Sequence, residues 1–355
     1  MFKQMDDEIN NFKKMFFSIF EPKKGEGILL IYDKPNNEIK DNIKWRERRI
    51  FIKKWYDFLI TLSKKYEFNI DLDSFNATGI NNKILDKSIT KKFENYNIII
   101  AMTEFSITTT LVNLAKNNQR SIRCASMPIV EKRMEKSVLH MDYSQVKKYA
   151  KNLKKFLQDA YGATINFSTN DSLYIDLRNR DAGADDGDCS KPGNLINLPS
   201  GEGFISPYEG TDDEKSEFGE SKTKGILPFY YKDEVIKFNI KKNTIISFNG
   251  GKKYVSEVKR YFDENPSRKN IAELGIGCNP KAKVTGNTLE DEKVGLHIAY
   301  GTSSHIGGKI TSDVHMDIVY AKGCKIEGET VILHLKNEDV TIISNAQLDY
   351  KLIND

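Results

Sequence analysis

Ile98-Ile99-Ile100-Ala101-Met102, followed by Thr103-Glu104-Phe105-Ser106, is the stretch on which the fold turns. Its apolar run is too short for an ordinary helix and suits a strand buried on both faces, as in a parallel sheet. A short helix is expected over Ile107–Ala115, and a further strand around Ser121–Ala125. Strand, helix and strand in this rhythm predict a parallel βαβ layer.

Upstream, Ile28–Tyr32 is a second apolar run, ended by Asp33 and Pro35. From Lys44 to Tyr66, Trp45, Ile50, Phe51, Trp55, Phe58, Leu59 and Leu62 approximate a helical stripe. The Lys and Arg residues around it read as a solvated face. Residues 5–19 form an amphipathic pattern through Ile9, Phe12, Met15, Phe16 and Ile19. Downstream, Val146, Tyr149, Ala150, Leu153, Phe156, Leu157 and Ala160 mark a helix over Tyr143–Tyr161. Asp142 with Gln145 gives it a capping box, and Gly162 a stop. Beyond Gly162 the period becomes two: Thr164–Phe167, Leu173–Leu177, Ile226–Tyr231, Val235–Ile240, Thr244–Phe248, Val314–Tyr320 and Thr330–Leu335 alternate as strands. The expected architecture is α/β: an N-terminal α/β domain with a parallel sheet over 1–162, then a β-rich α+β metal-site domain over 163–355.

Composition removes several classes. With 54 Lys+Arg against 50 Asp+Glu, the net charge of +4 on 355 residues gives no basis for a nucleic-acid partner. Apolar runs of about five residues fall far short of the roughly twenty a membrane span needs. The acidic N-terminus, Asp6-Asp7-Glu8, lacks the apolar core of a secretory signal. Cys124, Cys189, Cys278 and Cys324 form no CxxC pair, which fits free thiols in a reducing cytoplasm. The loop at 181–193 lacks the ligand register of a calcium hand. Gly275-Ile276-Gly277 opens like a dinucleotide fingerprint, but Pro280 stands at the third glycine position.

Ligand-type residues concentrate among glycines in three C-terminal segments. These are Asn197-Leu198-Pro199-Ser200-Gly201-Glu202-Gly203-Phe204, Ala272-Glu273-Leu274-Gly275-Ile276-Gly277-Cys278-Asn279-Pro280, and Asp291-Glu292-Lys293-Val294-Gly295-Leu296-His297-Ile298-Ala299-Tyr300-Gly301 running on to His315-Met316-Asp317. His315 and Asp317, two apart on an alternating strand, leave the same face. His297 between Leu296 and Ile298 lies on the face opposite to theirs. Glu202 and Glu273, bracketed by apolar residues and glycines, are costly to bury unless paired or coordinated. Two Glu, two His and one Asp without a cysteine suit a catalytic site for one or two divalent ions. His140 and His334 read as structural. Ser304 and His305, in the glycine-bounded loop Gly301–Gly308, read as substrate-loop residues.

These segments resemble the aminopeptidase T (leucyl aminopeptidase) family of metallopeptidases and its relatives, the 2,5-dihydroxypyridine dioxygenases. NLPSGE, AELGIGxNP, EDEKxGLHIAYG, GG and HMD occur here in that order, and Trp45–Arg49, Ala101–Thr103 and Ala125–Pro128 agree more loosely. The resemblance implies that Glu202, Glu273, His297, His315 and Asp317 hold a two-metal cluster of Zn, Mn or Co. It implies metal-activated water, proton transfer by Glu273, and cleavage of a small peptide or amide beside a free amine. The dioxygenase alternative implies Fe(II) and a small ring substrate; a silent binding relative is a third expectation. A homodimer is implied as well. The peptidases carry Tyr seven residues after the His of His-Ile-Ala, where this chain has Ser304.

Overall fold

The computed structural model describes residues 2–116 and 121–354. Strands β1 (Gly27–Lys34), β2 (Asn69–Asn76), β3 (Ile98–Ala101) and β4 (Arg123–Ser126) pair in parallel, as the 98–102 run predicts. All four residues of β3 are buried, so its side chains serve helices on both faces. In the helix Ile43–Tyr66 the buried stripe is Trp45, Arg48, Phe51, Ile52, Trp55, Leu59 and Leu62, while Ile50 is exposed. Arg48 is tolerated inside because its Nε donates to the Val130 carbonyl and its guanidinium pairs with Glu104.

The sheet order, β2-β1-β3-β4, reverses between β1 and β3, where open α/β sheets offer a crevice for anions. Here that position is filled from within. The Asp33 carboxylate accepts the backbone N–H groups of Glu104 and Phe105 and the indole N–H of Trp45.

The chain continues through β5 (Ala160–Phe167), β6 (Ser172–Asp176) and β7 (Ala182–Asp185), then returns at β8 (Leu195–Asn197) to extend the parallel sheet beside β4. Next come β9 (Glu202–Ile205), β10 (Lys224–Tyr231), β11 (Glu234–Lys241), β12 (Thr244–Asn249), β13 (Ile271–Gly277), β14 (Leu296–Gly301), β15 (His315–Val319), β16 (Gly328–Leu335), β17 (Asp339–Ser344) and β18 (Gln347–Leu348). One sheet runs β12-β11-β10-β6-β5-β16-β17-β18, the other β15-β14-β13-β9-β7. Leu173, Ile175, Phe238, Val331 and Leu333 from the first share one core with Ile205, Leu274, Ile276, Leu296 and Ile298 from the second.

Contacts divide the chain into residues 1–147 with 185–200, and residues 148–184 with 201–355. This differs from a single cut after residue 162. The helix Tyr143–Asp159 buries Ala150, Leu153 and Leu157 in the C-terminal core, and β8 belongs to the N-terminal sheet. Nor does Gly162 stop that helix: the chain is already a strand at Ala160.

Among the described residues, no helix is long and apolar enough to cross a membrane.

Candidate metal centre

The four strands β9, β13, β14 and β15 bring all five expected side chains to one sheet face. The register explains how. His297 lies across from Gly275 and Val319, Ala299 from Glu273 and Asp317, Gly301 from His315, and Glu202 from Gly277. Residues at alternate positions share a face, so Glu202, Glu273, His297, His315 and Asp317 all point away from the core. Leu274, Ile276, Leu296 and Ile298 occupy the other face. Tyr300 goes with them, its ring against Phe262. A bulge at Ala272 lets Ile271 pair with Tyr300 in the core while Glu273, two residues on, turns to the site.

Two positions need glycine for a steric reason. A Cβ on Gly275 would overlap the His297 imidazole, and one on Gly277 the backbone of Glu292 and Lys293. The Gly-Ile-Gly run therefore makes room for the cluster rather than for a cofactor phosphate.

Glu273 sits at the middle and divides its two oxygens. Oε1 lies 3.6 Å from Nε2 of His297, which is 3.3 Å from Glu202 Oε2. Oε2 lies 3.1 Å from Nε2 of His315, which is 3.7 Å from Asp317 Oδ1. One donor atom each from Glu273, His315 and Asp317 falls within 4.8 Å of the others. His297 is fully enclosed, whereas His315 and Asp317 keep 18% and 15% of their side-chain exposure. The cluster thus has a dry inner half and an outer half open to solvent.

The rings are oriented from behind, by the Gly295 carbonyl 3.3 Å from His297 Nδ1 and the Thr302 carbonyl 2.7 Å from His315 Nδ1. Both Nε2 atoms therefore face the carboxylates. Burial alone would lower the pKa of both histidines. The hydrogen bonds and charges of Glu202, Glu273 and Asp317 outweigh it and raise them well above the ordinary imidazole value. Burial raises the Glu273 carboxyl, but the two histidines hold it well below the usual range.

Glu292 and Lys293 are members of this site that the sequence motifs did not single out. The buried Lys293 Nζ lies 2.6 Å from Glu202 Oε1 and 2.9 Å from Glu292 Oε1. Burial, with the Glu202 and Asp317 charges, pushes the Glu292 pKa up to about 8 against the opposing pull of Lys293 and His297. Their neighbours serve the loop instead: Asp291 accepts the N–H groups of Thr285 and Gly286, and Glu290 that of Lys283. The signal was the EDEK run itself, whose four charges all turn inward.

Of the loop residues, His305 places its ring 4.7 Å from that of His315, edge to face. Ser304 is exposed, and its hydroxyl makes long contacts with the Thr302 and Thr311 hydroxyls at 3.3 and 3.4 Å. His334 is spent between Thr164 and Asp339, as a structural histidine is.

The donor set fits a divalent cation. Glu202 and Glu292 pair with Lys293, while Glu273 and Asp317 face histidines whose raised pKa keeps a proton on each ring in the metal-free chain. A metal needs neutral imidazoles, so loading is expected to expel about two protons per chain at neutral pH. The sign follows from the raised histidine values. Their contribution to metal-free stability is full below about pH 6.5, the unfolded value, and is lost as pH rises through the folded pKa. Metal-free protein should melt at lower temperature in alkaline buffer, while metal affinity rises with pH. Titration calorimetry in buffers of different ionisation enthalpy reads the protons directly; a binding heat independent of buffer would contradict this assignment.

No family model and no curated protein matches the chain. Among the solved structures similar to it are two enzymes. A 2,5-dihydroxypyridine dioxygenase from Pseudomonas putida KT2440 superposes with a TM-score of 0.69 at 15% identity, covering 96% of each chain. Wild-type AmpT from Thermus thermophilus superposes with a TM-score of 0.62 at 11% identity, covering 98% of this chain and 100% of that one. At these identities the likeness is one of fold: the chain has the two-unit α/β architecture of those two enzymes over nearly its whole length.

Proposed function

We propose that the chain is a metal-dependent hydrolase of aminopeptidase type, cleaving a peptide or amide bond beside a free amine. The observation that carries this reading is the division of Glu273 between two His–carboxylate groups. A carboxylate so placed could be shared by two ions. Glu202 and His297 would hold the inner ion, His315 and Asp317 the outer, with Zn, Mn or Co as candidates. Bound there, divalent ions supply Lewis acidity and lower the pKa of water.

The chain's own groups do the rest. Glu292, whose pKa burial and the Glu202 and Asp317 charges push up to about 8 in the metal-free chain, lies beside the cluster through Lys293 and would carry a proton to or from a reacting group. This gives it the proton-carrying task expected of Glu273, whose oxygens are both engaged by histidines. Lys293 neutralises Glu202 from the buried side. Asp317 and Glu273 leave negative potential at the open end, which favours a substrate's free ammonium group.

The second reading is an Fe(II) ring-cleaving dioxygenase, favoured by the higher TM-score of that neighbour. Against it, the tight cluster joins one His to two carboxylates, and the facial triad of such enzymes is two His and one carboxylate.

Purified protein should take up about two Zn, Mn or Co per chain and cleave aminoacyl amides without oxygen. One iron per chain with oxygen uptake on a dihydroxypyridine would overturn the hydrolase reading.

A further inference from the structure

Outside the cluster, the most heavily engaged carboxylate of the C-terminal unit is Glu209. It is buried, and its oxygens collect five donors. Oε1 accepts from the Ser303 hydroxyl, from Asn270 Nδ2 at 3.0 Å and from the Ile310 N–H at 3.4 Å. Oε2 accepts from the Lys309 N–H at 2.6 Å and from Arg180 Nη2 at 3.2 Å. Three of these donors belong to the loop 302–310. The loop closes on itself through Ser303 N–H and Ser304 N–H to the Ile310 carbonyl, and Gly308 N–H to the Ser303 carbonyl. Asn270 ties the loop's start as well, donating also to the Gly301 carbonyl.

This loop carries the Thr302 carbonyl that receives His315 Nδ1, and His305, whose ring abuts His315. No motif pointed to Glu209, since its donors come from distant parts of the sequence.

We propose that Glu209 is a positioning residue for His315: it pins the loop 302–310, and through the Thr302 carbonyl it fixes the imidazole that faces Glu273 and Asp317. The neighbouring Glu214 provides the internal comparison. It pairs with the same Arg180, at 2.5 Å, and is also buried, yet its other bond is to the Thr211 N–H and none goes to the loop. A general role in holding Arg180 would belong to both; a role in orienting His315 belongs to Glu209. The consequence for ion binding rests on the metal reading, but the hold on His315 is present without an ion.

The test compares Glu209→Gln, Glu214→Gln and the milder Ser303→Ala in the full chain. Two readouts are used: the protected Nδ1–H resonance of His315 and amide exchange at Lys309 and Ile310 in metal-free protein, then calorimetric titration with Zn2+. In Glu209→Gln the His315 resonance should be lost to exchange and both amides should exchange faster. The weaker Zn2+ affinity should fall about 10- to 100-fold, the range for groups that orient a ligand. Ser303→Ala should shift all three in the same direction by less, and decides the matter if Glu209→Gln does not fold. Glu214→Gln should leave all three at wild-type values. Wild-type His315 protection in both loop-anchor variants, or equal loss in Glu214→Gln, overturns the proposal. If the wild-type chain takes up no Zn2+, the metal reading fails by itself, while the resonance and the amides still decide the role of Glu209.

Discussion

Glu273→Gln is expected to abolish turnover and to leave the chain unable to hold two ions. The substitution keeps the side chain's shape and one oxygen. The other oxygen becomes an NH2 group, and Glu273 has no spare oxygen to lose: one faces His297 and the other His315. Whichever way the amide turns, a donor is aimed at an imidazole nitrogen whose partner was an acceptor, and one half of the cluster loses a ligand. The anionic charge that the two halves share disappears as well. Metal assistance is worth several kcal/mol, so its loss corresponds to a fall of about a thousandfold or more in kcat at 1.36 kcal/mol per decade. The strand itself survives, because β13 is held by backbone pairing to β9 and β14. Circular dichroism should therefore match wild type while elemental analysis shows fewer than two ions. Asp317→Asn touches only the outer half and should retain one tightly held ion. A Glu273→Gln protein with two ions and wild-type turnover would remove Glu273 from the centre of the site.

The sequence revealed some of this and concealed the rest, for reasons that lie in how strands pair. The parallel layer was legible because Ile98–Ala101 is buried on both faces and has to be uniformly apolar. The shared face of His315 and Asp317 was legible because a strand alternates with period two. The middle place of Glu273 was not, since it depends on the register of three strands and on a bulge at Ala272. Glu292 and Lys293 stand in the charged run 290–293 with nothing in the sequence to separate them from Glu290 and Asp291; the short helix Thr288–Asp291 precedes them and the fold turns them to the cluster. The two-unit division departs from a cut after residue 162 because the helix Tyr143–Asp159 runs straight into β5, and because β8 returns to the other sheet, a pairing that the prolines and glycines flanking it do not disclose. Ile50 was assigned to a buried stripe because it is apolar, and Arg48 to a solvated face because it is charged; hydrogen bonds from Arg48 to Val130 and Glu104 reverse them. Gly275 and Gly277 read as the opening of a nucleotide signature that Pro280 breaks, whereas their absence of side chains is what the site uses.

That last point gives the second large effect. Gly275→Ala should cost the inner half of the cluster while the chain still folds. Gly275 lies directly across β13 and β14 from His297, and an added Cβ falls on the imidazole, touching Nε2 and both adjoining carbons. His297 is enclosed and has no free side to move to, with Glu202 and Glu273 on its Nε2 edge and the Gly295 carbonyl on its Nδ1 edge. The ring has to leave its rotamer, and Nε2 leaves the two carboxylates with it. Overpacking of this kind costs about 1–3 kcal/mol of stability, a modest loss for a chain with so large a core. The chemical loss is greater, because Glu202 and Glu273 then face each other without the cation or the ligand between them. Elemental analysis should find at most one ion per chain, with turnover down about a hundredfold or more, two decades being 2.7 kcal/mol. Two neighbouring glycines separate this cause from simple intolerance of a methyl group. A Cβ on Gly295 meets Ala321 at an ordinary 3.4 Å, so Gly295→Ala should keep both ions. A Cβ on Gly277 meets backbone that cannot swing aside, so Gly277→Ala should lower stability more than Gly275→Ala does. If Gly275→Ala instead binds two ions and turns over normally, His297 is not held where the cluster needs it, and the inner metal position falls with it.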